Sequence, residues 1–552
     1  MTVPATAQDA PTDIIDAGPR RLTDEDGISI PADFLGYILL IEHRGLVTIY
    51  VEKDRADDTN VTSVKRSLER RAARYPRLEI KPLHLSDLQR LQEQYAGPTA
   101  PMVSAERTAI QLLRSFHEHG ATDAALKQHQ RAAALLLRVD GDMTAPIKSL
   151  TKKEVRNLCQ VFWNMSDPSS RVGDYSETTS GGTTMVEVLA DYGLADIYSA
   201  VRFSYAATSL GPECAIRLQA AGQTARPLEE LGHPAPAIIK LRQTTSGAGG
   251  AIFISGPVGS GKTNLLASTA LDVATNRPEK KMATIEDPAE VFIHESVSQW
   301  IVTGRTPQDR DAQYNDLIRR ALRSDLEFLI LGECRGPEAA NAFLQAAVSG
   351  MIGLSTIHTP NAMKIIRRLA GWGIDAVNLT DPEIMRGLGA VRLIKTLCDC
   401  KIPIAKALRD RSEASDLEET VARLQRHADM AYPLRDASVP RIMDGYTRKH
   451  EGCEVCRGRS KIEKRSYGIR GRTQIIEYFD PDARLLELLV DGHVDSAHQH
   501  ARSFLKIPSI QEDALDRVAA GDACPLDIED QLGLFQDPKK FAGSQIRSGG
   551  AA

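Results

Sequence analysis

The chain has 552 residues, 42% hydrophobic and 26% charged, with a formal net charge of −5 from 68 basic and 73 acidic residues. That size predicts about three to five globular domains, and the near balance of charge excludes a polyanion-binding signature, so nucleic acid is not an expected partner. The longest apolar stretches, such as Phe34 to Ile41, fall far short of the ~20 residues that cross a bilayer, so any membrane contact is expected to be peripheral.

Residues 1–30 are rich in Asp, Pro, Thr and Ala and predict a disordered leader. They lack a basic start followed by an apolar core, so no signal peptide is expected. A small N-terminal α/β domain is predicted over 31–100. Leu46 to Val51 reads as a strand, Val61 to Tyr75 as a helix with Val64, Leu68 and Ala72 on one face, Leu78 to Ile80 as a second strand, and Ser86 to Tyr95 as a capped helix. Ala96 to Met102 (AGPTAPM) is the expected linker. A second α/β domain is placed at 101–235, with a strand at Leu135 to Asp142, a polar loop at Asp167 to Thr184, and paired strands at Val201 to Ala207 and Glu213 to Leu218. The main α/β core is placed at 236–396, a cysteine-bearing segment at 397–465, a helical C-terminal region at 466–535 and a disordered tail at 536–552.

The core opens on the most specific signal. Ala251 to Ser255 is a short apolar, β-favouring run. Gly256-Pro257-Val258-Gly259-Ser260-Gly261-Lys262-Thr263 follows it and fits G-x-x-x-x-G-K-[ST], and Asn264 to Thr275 carries apolar residues at helical spacing. Strand, glycine loop and helix are the setting of a phosphate-binding loop. The glycines let backbone N–H groups turn inward around a β-phosphate, and the helix N-terminus adds positive potential. Gly256, Gly259, Ser260, Gly261, Lys262, Thr263 and Asn264 are therefore the candidate residues for binding a nucleoside triphosphate. Lys262 is expected to reach the β/γ oxygens and the Thr263 hydroxyl to hold Mg²⁺.

Three further strands end in polar residues. Met282 to Ile285 delivers Glu286-Asp287-Pro288-Ala289-Glu290. Asp325 to Glu333 is an apolar strand closing on a carboxylate, suited to holding Mg²⁺ through water. Leu354 to Thr359 presents His358. Each alone fits a solvated turn or a structural histidine; their order behind a phosphate loop gives them meaning. Cys398, Cys400, Cys453 and Cys456 form a four-cysteine set with the spacing of a structural Zn²⁺ site, although Cys-x-Cys is a tighter first pair than Cys-x-x-Cys. Such a site would pin a connecting segment with little core of its own. Cys159, Cys214, Cys334 and Cys524 are scattered and read as packing residues. Eight cysteines in a chain of this length do not make a disulfide scaffold, and the expected compartment is the cytoplasm.

These residues resemble the type II secretion and type IV pilus assembly ATPases, the additional-strand RecA-like secretion motors. That family shows GPTGSGKT, EDPxE, LRxDPDxxLxGE and STxHT(N)xA; here the same order reads GPVGSGKT, EDPAE, LRSDLEFLILGE and STIHTPNA. The resemblance implies a RecA-like P-loop core preceded by a PAS-like domain. It implies that Glu290 polarises the attacking water, Glu333 is the acid that holds Mg²⁺ through water, and His358 contacts the γ-phosphate. Within VRFSYAATSLGPECAIRL it makes Arg202 and Arg217 candidate arginine fingers. Assembly-type members carry a tetracysteine motif followed by a YRGRxGIxE-like stretch, matched here by YGIRGRTQIIE. Some matches are imperfect: Asp325-Leu326-Glu327 replaces Asp-Pro-Asp, Met351 replaces a histidine, and Ala121-Thr122-Asp123 poorly preserves a Ser-Asp-Xaa-His element. The implied function is a hexameric Mg²⁺-ATP motor at the cytoplasmic face of the inner membrane, acting on a membrane platform protein to drive pilus assembly or type II-like secretion. A conjugation thin-pilus motor, a nucleic-acid translocase and a non-hydrolysing nucleotide switch are the alternatives.

Overall fold

The computed structural model describes residues 20–535 apart from 23–27, 29, 31, 44–45, 73–74, 95–99, 131, 145, 168–170, 172–181, 187–188, 304–306, 411–415 and 460–466. The expected tail, most of the leader, residues 96–99 of the linker and most of the polar loop lie outside the described residues. The chain divides into two compact units, Met1–Ala109 and Ile110–Ala552.

The first unit is a four-stranded sheet in the order β1 (Arg20–Arg21), β2 (Ile38–His43), β3 (Leu46–Glu52), β4 (Arg77–Leu83), with β3 and β4 parallel. The helix Thr59–Glu69, capped by the Asp58 side chain, covers one face through Val61, Val64 and Leu68 against Val47, Ile49 and Val51. Leu88 of the helix Leu85–Gln94 covers the other face with Leu39 and Ile41. Burial on both faces explains why β2, part of the Phe34 to Ile41 apolar run, shows no alternation and was not predicted as a strand.

The second unit begins with an antiparallel sheet. Its strands are β5 (Asp123–Gln128), β6 (Ala133–Val139), β7 (Asp142–Met143), β8 (Lys148–Leu150), β9 (Gly182–Val186), β10 (Tyr198–Thr208) and β11 (Gly211–Ala220), and the order β7-β6-β5-β11-β10-β9 is joined by β8 against β6. The helix Lys152–Met165, started by a Thr151–Glu154 capping box, stacks Phe162 on Phe203 at 4.7 Å and sets Trp163 edge-on to Tyr205 at 5.3 Å. The hairpin of β10 and β11 places Arg202 directly opposite Arg217.

The main sheet is built from β12 (Gly250–Ser255), β13 (Met282–Glu286), β14 (Val297–Ile301), β15 (Phe328–Leu331), β16 (Ile352–Ile357) and β17 (Met385–Leu397), all parallel. A short ladder, β18 (Ile402–Pro403) with β19 (Tyr446–Thr447), lies in the cysteine segment. The last strand, β20 (Ile469–Phe479), pairs antiparallel with β17, giving the order β14-β13-β15-β16-β12-β17-β20. The region expected to be helical from 466 instead contributes an edge strand of the main sheet. Gln474 to Phe479 is buried without alternation, so period-2 patterning gave no strand signal there.

The cysteine segment also differs from expectation. Its helix Asp416–Ala431 puts Leu417, Val421, Leu424 and Ala428 into the main core, so apolar packing anchors a segment expected to have little core. Lys395 of β17, 5% exposed, meets Asp142 of β7 at 2.6 Å and Asp527 at 3.9 Å. At the C-terminus the helix Ile510–Ala519 starts with a Ser509–Glu512 capping box, and the fully buried Glu512 carboxylate takes ion pairs from Arg435 at 2.9 Å and from Arg502. Burial would raise its pKa, but Arg502, the Ser509 backbone and Arg435 outweigh that and lower it. We expect Glu512→Ala, which strands two guanidinium groups, to cost about 3–5 kcal/mol of stability in denaturant unfolding. In the wild type, the stabilisation from Glu512 is present above the free-carboxyl value and is lost as pH falls through the lower folded value.

Candidate nucleotide site

Parallel strands bring the predicted motifs together because all of them lie at carboxyl ends. The phosphate loop follows β12, the Glu286 to Glu290 segment follows β13, Glu333 follows β15 and His358 follows β16. In the loop, Gly256, Gly259 and Gly261 have φ of +158°, +74° and +91°. The left-handed Gly261 is the N-cap of the helix Lys262–Asn276, whose first turn holds Lys262, Thr263 and Asn264 directly after the loop. A Cβ on Gly256 would lie 2.4 Å from Ser260 Oγ and 2.8 Å from Val391 O, so only glycine permits this turn. Lys262 Nζ donates to Gly256 O at 2.8 Å and Pro257 O at 3.0 Å. Burial lowers its pKa to about 8 despite the nearby Glu333 carboxylate. The Ser260 hydroxyl is buried with no hydrogen-bond partner among the described residues.

Glu333 and His358 meet directly. His358 Nε2 lies 3.0 Å from Glu333 Oε1, and Arg335 Nε lies 3.4 Å from Glu333 Oε2. The two strand ends are tied by Cys334 N–H donating to Thr356 O at 2.8 Å. Tyr314 Oη donates to Glu333 O at 2.7 Å, and Arg335 stacks over the Tyr314 ring at 5.5 Å.

The segment after β13 is richer than its sequence suggested. Asp287 pairs with Arg310 and with Arg335 at 2.8 Å; burial would raise its pKa, but those two arginines lower it. Burial raises the pKa of Glu286, whose Oε1 accepts from Thr284 Oγ1 at 2.6 Å and Gln299 Nε2 at 3.0 Å. Glu290 itself is solvent-exposed. Arg310 and Arg335 were missed in the sequence, since a single arginine on a helix or in a turn carries no motif. Arg335 lies two residues beyond Glu333, and that proximity was the available signal.

The β10–β11 domain docks on this segment. Phe292 exchanges backbone hydrogen bonds with Gln223 and Ala225 at 2.9 and 2.8 Å, and Gln219 Nε2 donates to Ala289 O at 3.4 Å. Arg202 is half-buried; burial lowers its pKa, while Asp287 and Glu290 oppose that shift, which places its guanidinium in electrostatic range of both. Arg217 is instead engaged within its own domain, with Nε 3.1 Å from Asp123 Oδ1. Of the two candidate arginines, Arg202 thus feels the charges of the Asp287–Glu290 segment, while Arg217 is paired inside its own domain. The imperfect matches Asp325-Leu326-Glu327 and Met351 precede β15 and β16, at the opposite ends of those strands from Glu333 and His358. There Glu327 Oε2 accepts from Lys281 N–H at 2.7 Å, so these departures shape a turn rather than the crevice.

The four predicted cysteines also converge. Their sulfurs all lie within 4.8 Å of one another, with Cys398–Cys453 and Cys453–Cys456 at 3.8 Å and Cys400–Cys456 at 4.0 Å. Metal–sulfur bonds of ~2.3 Å in a tetrahedron give sulfur–sulfur edges of about 3.8 Å, so the donor set fits tetrahedral thiolate coordination, Cys-x-Cys notwithstanding. Cys453 N–H and Gly468 N–H point at Cys456 Sγ at 3.1 and 3.3 Å, as outer-shell donors to a thiolate do.

A RecA-like sheet, a phosphate loop and convergent acids at the carboxyl ends define a P-loop ATPase. Residues 104–527 match the type II/IV secretion system protein family, and the chain belongs to that family. It is 27% identical over 411 residues to the type II secretion system ATPase E of Vibrio cholerae, covering 73% of this chain and 70% of that protein. It is 25% identical over 419 residues to the type IV pilus assembly ATPase PilB of Thermus thermophilus, covering 76% of this chain but 42% of the larger relative. Among solved structures, the Legionella pneumophila ATPase DotB aligns with 76% of this chain and 94% of its own at 18% identity and a TM-score of 0.48. No helix among the described residues is long and apolar enough to cross a membrane.

A triphosphate beside Lys262 would favour the ammonium form. Nucleotide binding is therefore expected to take up protons near pH 8, with affinity flat below that value and falling as pH rises above it. Calorimetric titrations in two buffers of different ionisation heat check this.

Proposed function

We propose that this ATPase is a ring-forming motor, a hexamer, that drives pilus assembly or type II-like secretion from the cytoplasmic face of the inner membrane through a membrane platform protein. The observation that carries the reading is the docking of an arginine-bearing domain on the Asp287–Glu290 segment, beside a complete phosphate-loop site. The names of the Vibrio and Thermus relatives support the secretion and pilus assignment. A thin-pilus motor of conjugation would use the same site. No charge pattern favours a nucleic-acid track.

In this reading Lys262 and the inward N–H groups of the loop hold the β- and γ-phosphates, and Mg²⁺, when bound, sits on Thr263 with Glu333 reaching it through water. Glu290 polarises the attacking water, and His358, oriented by Glu333, contacts the γ-phosphate. Arg202 supplies positive charge to the transition state; Arg217 joins only by releasing Asp123. Arginine delivered this way is worth roughly 10³–10⁵ in rate. Cys398, Cys400, Cys453 and Cys456 hold a structural Zn²⁺.

ATPase activity per chain should rise with protein concentration and then saturate, because a ring completes the site between subunits. Concentration-independent, substantial activity would remove the ring. Arg202→Ala should lower kcat at least tenfold with little change in nucleotide affinity, and Glu290→Gln should abolish turnover while ATP still binds. Elemental analysis of the purified chain should give one zinc per chain, and a value well below one would remove the metal.

A further inference from the structure

The resemblance to YRGRxGIxE has one substitution with a physical consequence: Gln474 stands where the motif has glycine. A glycine there has no side chain to extend toward the phosphate loop. Gln474, 2% exposed, does reach it, its Nε2 donating to Gly261 O at 3.0 Å. Gly261 is the left-handed residue that turns the loop into its helix, and a Cβ built on it would lie 2.5 Å from the same nitrogen. The other end of the amide, Oε1, is buried with no hydrogen-bond partner among the described residues.

His233 lies beside it, 8% exposed; no hydrogen bond of ordinary geometry reaches either ring nitrogen, but the Gln474 side chain is close enough to favour its protonated form. Burial lowers its pKa to about 4 although Gln474 acts in the opposite direction, so near neutral pH the ring carries one N–H donor and one acceptor. The surrounding backbone is fixed: Arg517 donates to Gly232 O, and Thr473 Oγ1 donates to Leu231 O at 3.2 Å. An amide oxygen in need of a donor thus sits against a neutral imidazole in need of a partner, directly behind the phosphate loop. Buried polar groups in native proteins are overwhelmingly paired, and a small rotation of either side chain joins these two.

We infer that Gln474 is a positioning residue that holds the phosphate loop in its nucleotide-accepting shape, and that His233 orients Gln474 for that task. The inference rests on nucleotide binding at the loop, which Lys262→Ala tests separately by abolishing it. Full-length Gln474→Gly, Gln474→Leu, His233→Met and the Gln474→Gly/His233→Met double variant would be compared by titration with a fluorescent ATP analogue, by steady-state kinetics and by thermal unfolding. One lost hydrogen bond corresponds to roughly three- to tenfold in affinity. Gln474→Gly and Gln474→Leu are expected to raise Kd and KM by that factor with kcat nearly unchanged. His233→Met should do the same more weakly, and the double variant should be no worse than Gln474→Gly alone, because the histidine acts through the amide. Nucleotide affinity unchanged in both Gln474 variants would overturn the inference. So would fully additive effects, or an affinity loss confined to variants whose melting temperature falls.

Discussion

The parallel pairing of β12 with β16 on one side and β17 on the other is the constraint on which the rest depends. Parallel strands finish at one edge of a sheet, so segments separated by scores of residues deliver their polar ends to a single crevice. Both faces of this sheet are buried, one by a core that includes Phe253, Phe343 and Leu388, the other by one that includes Ile254, Leu265 and Val391. Packed this way, the strand ends cannot drift independently. Glu333 and His358 can be held 3.0 Å apart without any covalent link because the strands beneath them are fixed in register.

Electrostatics then separates parts that share a crevice. Asp287 is saturated by Arg310 and Arg335, which makes it a fastening point rather than a free base. Glu290, three residues on, is exposed and retains its freedom to meet water. Arg202 approaches both from another domain, so the charge balance of the crevice depends on where that domain stands. A motor needs such a dependence: a domain movement that also changes the field at the reacting phosphate couples chemistry to displacement.

Much of this was legible in the residues, and the failures have a common cause. GPVGSGKT followed by a helix, EDPAE, the strand ending at Glu333 and the strand ending at His358 were readable because each couples a local period to a polar terminus. β2 and β20 were not, because strands buried on both faces carry no alternation. The cysteine spacing led to four sulfurs that do converge, but it gave no hint that the helix Asp416–Ala431 packs into the main core. Arg310 and Arg335 were invisible because pairing with Asp287 is purely tertiary. The departures at Asp325 to Glu327 and at Met351 looked like defects of the site in one dimension; in three they belong to the far end of the sheet.

The cysteine cluster sits at the open end of the β17–β20 pair. Cys398 N–H donates to Gly468 O at 2.8 Å, and Gly468 N–H points at Cys456 Sγ. Those same two strands carry, further along, Val391 against the phosphate loop and Gln474 on Gly261. The pair is therefore a two-tined fork that carries the four sulfurs at its tips and touches the phosphate loop further along. The same two strands therefore join the four sulfurs to the residues that shape the phosphate loop, by a path that never crosses the crevice.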